Sequence, residues 1–438
     1  MVLLRKTCGR SRTRGQEGWR NLTDAQTLSR NQTALDWLNF FLADVKDGIG
    51  PFLAIFLTSS QHWDPGSAGI VLTIGGLATV LARGPVGALV DSITWKRSLI
   101  VASAIVVAAA SIAMAVYPAF WPVAFAQGLN GIADAVFPLA VTAISLGIVG
   151  RKGFAKRIGR NEAWNHAGNV ATAIIAGLAG YFIAQAAVLW MVAALAIASV
   201  FAVYRIDAKA IDNNAARGEE DGGGQAPEAL RLLFSNRPLL WFTAAITLFH
   251  FANAAMLPLA GEKLSQGKPD ASPLFMASCV ITAQLVMVPM ALLVGRKADA
   301  WGRKPLFMAG FAVLPIRGLL FALAGNPYAI IAIQILDGVG AGIFGALFYI
   351  VISDFTRGTG RFNLAQGAAA ASWGLGAALS NGVAGMIVNG FGFSAAFFFL
   401  AACALGALAI YAFLVPESRD YSMGRETQSR LAAETARA

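Results

Sequence analysis

Long apolar runs separated by short polar breaks fill most of this chain. They cover roughly 34–58, 67–90, 98–117, 121–149, 162–184 and 187–206, and then 238–260, 273–297, 304–325, 327–353, 363–389 and 392–415. Each is roughly 20 to 28 residues. At ~1.5 Å of rise per residue, a helix of that length crosses ~30 Å of hydrocarbon with some tilt. The pattern predicts an all-α membrane protein with twelve transmembrane helices. Between the sixth and seventh runs lies 207–237, whose GEEDGGGQAPE segment reads as a flexible linker. The expected organisation is a basic tail at 1–33, a six-helix bundle at 34–206, the linker, a second bundle at 238–415 and a tail at 416–438. The first tail is expected to be mostly disordered, with Asn31 or Thr33 capping the first helix.

Composition agrees with lipid as the solvent. Of 438 residues, 57% are hydrophobic and 13% charged, against roughly 25% charged in soluble domains. A net charge of +10 could indicate nucleic acid, but the placement of the charges argues otherwise. With the amino terminus set in the cytoplasm, 29 of the 34 lysines and arginines fall in the tails and the loops of that side. Only Lys263 and Lys268 fall in loops of the other side, while Lys46, Arg83 and Arg317 lie within helices. This asymmetry puts both termini in the cytoplasm of a multi-pass protein of the inner (plasma) membrane. The basic loops then face anionic headgroups, so the bilayer is the expected partner and nucleic acid is not. Cys8, Cys279 and Cys403 have no metal-ligand spacing, and buried thiols are the simpler reading. No cleavable signal is visible, so the first helix is expected to serve as the insertion signal.

The runs repeat. In LLVGRKADAWGRKP, Gly295 is followed by Asp299, Gly302, Arg303 and Lys304; some two hundred residues earlier, GPVGALVDSITWKR carries Gly87, Asp91, Lys96 and Arg97. Asp91 and Asp299 are related by a shift of 208, Pro51 and Pro258 by 207, Gln127–Gly128 and Asp337–Gly338 by 210, and two Gly-x-x-Gly segments by 205. Ordered anchors at nearly one shift indicate a parallel six-helix repeat, as in transporters. On these residues the chain resembles the major facilitator superfamily over 34–415. The resemblance implies two six-helix bundles related by a pseudo-twofold axis, with helices 1, 4, 7 and 10 lining a central cavity. It further implies that Gly87, Asp91, Lys96, Gly295, Asp299, Gly302, Arg303 and Lys304 form a gating latch that closes the cytoplasmic side. The first copy departs from the family pattern at Ser92, Thr94 and Trp95, Ala124 replaces an arginine often found in helix 4, and the Gly-Pro signature of many antiporters is missing from helix 5.

Ionisable residues deep in a membrane are functional candidates because each costs several kcal/mol unless paired or wet. Asp44, Lys46, Asp47, Arg83, Asp134, His250, Arg317 and Asp337 fall at such depths. Asn253 lies nearly one turn from His250, as Asn169 does from His166. Four acids face three bases; Asp134 has no evident partner, and a surplus carboxyl suits a proton carrier. Structural pairs, Arg83 with Asp44 and Arg317 with Asp337, are the competing reading. Helix 1 carries a polar stripe that includes Asp36, Asn39 and Asp47, and Gly48, Gly50 and Pro51 weaken it mid-membrane. Gly338, Gly340, Gly342 and Gly345 on helix 10 fit close helix packing. Arg151, Lys152, Lys156, Arg157 and Arg160 read as a topology signal at the lipid surface.

The expected function is secondary active transport of a small polar solute by alternating access, proton-coupled, by a monomer. No catalytic constellation, cofactor or metal is expected; the proton gradient is the energy source. The alternatives are an uncoupled facilitator and a transport-dead membrane receptor or sensor.

Overall fold

The computed structural model describes residues 26–43, 45, 49–216, 235–267, 269–356 and 362–419. Among these, nine runs are long and apolar enough to cross a membrane. The last of them, Ala365–Leu414, contains two helices that part at Gly392. Helices 1 and 5, which carry more polar residues, bring the number to twelve. The order is α1 (26–43 and Ile49–Ser60), α2 (Pro65–Ser92), α3 (Lys96–Val116), α4 (120–149), α5 (151–182) and α6 (Ala187–Tyr204). After the linker come α7 (Arg237–Ala254 with Met256–Gly267), α8 (Ser272–Trp301), α9 (Arg303–Leu323), α10 (Pro327–Thr356), α11 (362–391) and α12 (393–414). Gly150 separates α4 from α5.

The first helix begins earlier than expected. It is under way by residue 26, and neither expected cap acts as one. Thr33 Oγ1 donates back to the Ser29 carbonyl at 3.1 Å, and Asn31 Oδ1 accepts from the Asp207 amide at 2.9 Å. The linker likewise begins as packed chain. A short helix, Asn213–Ala216, follows Asp212, whose amide donates to the Gly147 carbonyl, and Ile211 and Ala216 are buried against the first bundle. After α12, Val415 is 1% exposed and Glu417 to Arg419 remain anchored.

Three seams join the halves: α2 against α11, α5 against α8, and the Ile49–Ser60 part of α1 against the Met256–Gly267 part of α7. Helix association in lipid depends on close approach of backbones, and small residues permit it. An added Cβ on Gly76 would stand 2.8 Å from Ala378 Cβ, and one on Gly177 would stand 2.6 Å from Ala277 Cβ. Hydrogen bonds reinforce the seams: Gly66 amide to Asn389 Oδ1 at 3.1 Å and Gly382 amide to Thr73 Oγ1 at 2.9 Å. These contacts lie toward the face where α2 begins, here termed the far face. At the opposite face, which carries the basic loops, both halves line a cavity of about 630 Å³ that includes Asn39, Gly87, Phe137, Glu162, Tyr349 and Gln366. The halves are therefore closed together at the far face and parted at the basic face.

Candidate functional site

Midway between the faces the two halves enclose a second cavity of about 380 Å³. Its wall takes Pro51 from α1, Thr79 from α2, Gln127, Asn130 and Asp134 from α4, Asn253 and Pro258 from α7, and Arg317, Asp337 and Asn381 from α9, α10 and α11. Three sequence candidates, Asp134, Asn253 and Asp337, thus meet at one space. The prolines related by the repeat, Pro51 and Pro258, both border it near irregular helix: α7 is interrupted at Ala255, and a π-helical turn at Phe56–Ser60 follows Pro51 in α1. Irregular helix at membrane depth is tolerated where it borders a cavity.

The charges here are held. Arg317, 2% exposed, donates through Nη1 to Asp337 Oδ1 and to Asn253 Oδ1, each at 2.6 Å, and its Nη2 lies 3.4 Å from Gln334 Oε1. The Arg317–Asp337 pair expected as one alternative is present, and α9 turns this arginine inward. Asp134, for which the sequence offered no evident partner, is engaged: the Thr79 hydroxyl, which donates to the Gly75 carbonyl at 3.1 Å, lies 3.5 Å from its Oδ2. Asp44, Lys46 and Asp47 lie outside the described residues, so the count of acids against bases is left where the sequence put it.

His250 faces elsewhere. Its Nδ1 lies 2.9 Å from the Ile246 carbonyl, and its ring packs 4.3 Å from Trp373 and 4.5 Å from Phe344. It borders a side chamber of about 130 Å³ between α7, α9 and α10 that shares Asn253, Arg317 and Asp337 with the central cavity. His166 contributes to a seam, with its Nδ1 3.1 Å from Gln284 Oε1 of α8. Of the α10 glycines, Gly338 and Gly342 pack against α8, and Gly340 lies near Val313 of α9. Gly345 differs from the expectation: nothing stands within 4 Å of where its Cβ would be.

The second hinge is a clasp within its own half. Gly302 adopts φ 91°, a conformation that favours glycine, and so turns α8 into α9 in a single residue. Glu417, beyond α12, accepts from the amides of Arg303 at 3.0 Å and Lys304 at 2.9 Å, satisfying the first donors of α9. Arg303 bridges Asp299 at 2.8 Å and Asp354 at 3.2 Å, and the Ser418 hydroxyl donates to Asp354 at 2.8 Å. Asp299 itself is 91% exposed. Gly295 has open space beside it. The first hinge takes three residues, Ile93 to Trp95, with no side-chain cap on α3. Lys96 is buried and donates to the Ile93 carbonyl at 2.7 Å. The side chain of Asp91 lies outside the described residues. Related bonds still mark the repeat: Arg97 donates to the Tyr204 carbonyl at 3.3 Å, and Lys304 to the Ala412 carbonyl at 2.7 Å.

Three features escaped the sequence reading. Arg157, read as a lipid-surface charge, is instead buried in an ion cluster: its Nη2 lies 2.6 Å from Asp36 Oδ1, and Arg160 also bonds to that carboxylate. Asn161 continues the network, accepting from Arg157 at 2.8 Å and Asn39 at 3.0 Å and donating to Ser145 at 3.1 Å. Their i, i+3 and i+4 spacing on α5 was the available signal. Glu262 on α7 is 3% exposed, and its Oε2 has no hydrogen bond among the described residues. Asp64 caps α2 through Ser67 and accepts from Asn389 of α11, tying the far face. Partial burial pushes its carboxyl up, but bonds from Ser67 and Asn389 outweigh that and leave it below its ordinary 3.8.

Comparison with known proteins agrees with this architecture. The model of the Major Facilitator Superfamily matches residues 35–283 and 251–434. An MFS-type transporter of Mycobacterium tuberculosis (strain H37Rv), itself uncharacterized, is 49% identical over 390 residues, 88% of this chain and 93% of the relative. The inner membrane transport protein YajR of Escherichia coli is 29% identical over 147 residues, 34% of this chain and 31% of its own length. Among solved structures, the nucleoside transporter NupG aligns with a TM-score of 0.72 at 16% identity, over 87% of this chain and 98% of its own. A D-xylose-proton symporter aligns with a TM-score of 0.68 at 13% identity, over 89% and 98%. At these identities the two structures speak to the fold alone.

Proposed function

The chain belongs to the major facilitator superfamily, whose members here are transporters and not enzymes, and from that premise we propose that it moves a small polar solute by alternating access with proton coupling. The observation that carries this reading is the midplane cavity of about 380 Å³, lined from both halves by Gln127, Asn130, Asn253 and Asn381 beside Asp134 and the Arg317–Asp337 pair. Amides offer both donors and acceptors, which suits a solute rich in hydroxyl or amide groups. With the basic loops in the cytoplasm, the parted face opens inward and the protein rests in an inward-facing state of the plasma membrane. The two units, 34–206 and 238–415, rock about the cavity, and one chain suffices.

Asp134 is assigned the coupling role. It borders the cavity on α4, with the Thr79 hydroxyl among its neighbours at 3.5 Å. A carboxyl on the wall of a cavity that admits solute can exchange a proton there, whereas Asp337 is engaged by Arg317 at 2.6 Å. The second reading, an uncoupled facilitator, is favoured by the pairing of Arg317 with Asp337. Counterflow in proteoliposomes over a panel of labelled nucleosides, glycosides, pentoses and amino acids decides between them. Coupling predicts uptake driven by an acid-outside gradient and lost in Asp134→Asn. Uptake that ignores the gradient and survives this substitution overturns coupling.

A further inference from the structure

We propose that the side chamber beside His250 is a subsite for one uncharged, hydrogen-bonding six-membered ring of the substrate, the rest of which occupies the central cavity. This rests on the transport reading above and names the class of solute. The chamber measures about 130 Å³ and shares Asn253, Arg317 and Asp337 with the central cavity. A cavity of roughly 150 Å³ takes a benzene-sized molecule. The chamber is slightly smaller than that, so it takes at most a single ring and excludes a fused bicycle.

Its wall is built for a ring with polar edges. Phe249 and Phe344 lie stacked at 6.0 Å with an interplanar angle of 2° and present aromatic surface. His250 spends Nδ1 on the Ile246 carbonyl at 2.9 Å, which makes Nδ1 the donor and leaves Nε2 as an acceptor for a ligand N–H or O–H. At the mouth, Arg317 Nε is buried without a hydrogen bond, although both terminal nitrogens of that guanidinium have partners. The chamber's own charges, Arg317 and Asp337, cancel at 2.6 Å, so the entering group is neutral. A pyrimidine carrying a sugar and a pyranose carrying a second sugar share this chemistry.

The test uses full-length protein in proteoliposomes, with uridine, a disaccharide, adenosine and free ribose as labelled solutes. Gly345 borders the chamber with open space at its Cβ position, so the two methyls of Gly345→Val narrow the chamber. The expected result is saturable uptake of uridine or the disaccharide, with adenosine excluded, and a KM raised at least about tenfold in Gly345→Val. His250→Phe, which keeps an aromatic ring and removes the acceptor, should raise KM by up to about tenfold for the same solute. Whichever of uridine and the disaccharide is taken up identifies the source of the ring. Equal uptake of adenosine, or a KM unmoved by both substitutions, overturns the subsite and leaves transport standing. Uptake confined to solutes without such a ring does the same. No uptake of any solute by folded protein counts against the transport reading, and the subsite falls with it.

Discussion

The two halves place their buried charge differently. The first half gathers Asp36, Arg157, Arg160 and Asn161 at the basic face, with Asp36 1% and Arg157 2% exposed. The second half sets Arg317 and Asp337 at the midplane, where Asp337 is 19% exposed and borders two cavities. The chemistry is the same, an arginine against an aspartate at 2.6 Å in both. What differs is access. A pair sealed on every side ties helices together, whereas a pair with one wet edge can also meet a solute.

The largest effect should come from breaking the sealed pair. Asp36→Ala leaves Arg157 buried without its counterion, and loss of one member of such a pair costs about 3–5 kcal/mol. A fall in melting temperature in detergent, or failure to accumulate, is expected. Asp337→Asn also leaves Arg317, 2% exposed, without its counterion, but the amide still accepts from it and one edge of the pair is wet, so the loss of stability should be smaller than in Asp36→Ala while uptake falls steeply. If both variants melt alike and transport alike, the distinction between the pairs is wrong.

The hinges sharpen the comparison at a smaller scale. Gly302→Ala places a Cβ 2.6 Å from Glu417 Oε2 at φ 91° and ψ 155°, and that essentially glycine-only backbone conformation alone costs roughly 1–3 kcal/mol. The position in the first hinge, Thr94, has no positive φ. Thr94→Gly should therefore change stability by less than about 1 kcal/mol. Equal losses in the two variants would mean that the clasp at Glu417 contributes nothing.

This asymmetry explains how much the sequence reveals. The twelve runs, the repeat and the hinge at Gly302 were legible because apolar length and a glycine-aspartate-arginine spacing are local signals. Arg317 and Asp337 could be paired because a helical hairpin brings them to similar depth. Asp36 and Arg157 could not: the spacing of Arg157, Arg160 and Asn161 marks a polar face of α5, but 121 positions separate that face from Asp36. Glu262 was missed for a simpler reason: the apolar run was ended at residue 260, whereas the helix continues to Gly267. His250 sits on α7, as its place in the seventh run requires, but its rotation toward α10 is a tertiary fact.

The far face supplies a pH test. Asp64 is held below 3.8 by Ser67 and Asn389, so its grip on α11 is fully present above that ordinary value and fades as pH falls through the lowered one. Closure of the far face, followed by hydrogen exchange at the Gly66 and Gly382 amides, should be constant from pH 7 to about 4 and loosen only below that. In Asp64→Asn this acid step should vanish. An unchanged step in that variant would place the titrating group elsewhere.

The smallest effect on stability is expected at Asp299. Its side chain is 91% exposed, and its ion pair with Arg303 crosses the Gly302 turn at the surface, where such pairs are worth about 0.2–1 kcal/mol. Arg303 keeps Asp354 at 3.2 Å when Asp299 is neutral, so the turn stays in place. Asp299 also sits at the carboxyl end of α8, where the helix dipole disfavours an anion, and Asp299→Asn removes that penalty. These opposing terms should leave the melting temperature unchanged within error. Turnover is a different matter, because in this state nothing from the first half engages the carboxylate among the described residues. Its use must come when the basic face closes, and Asp299→Asn should then slow turnover while equilibrium binding at the midplane stays the same. Abolished binding in a folded variant would put Asp299 in the solute site and not in the gate. Full turnover would show that the exposed carboxylate contributes nothing to closure, leaving the Arg303–Asp354 and Glu417 contacts as the working part of the hinge.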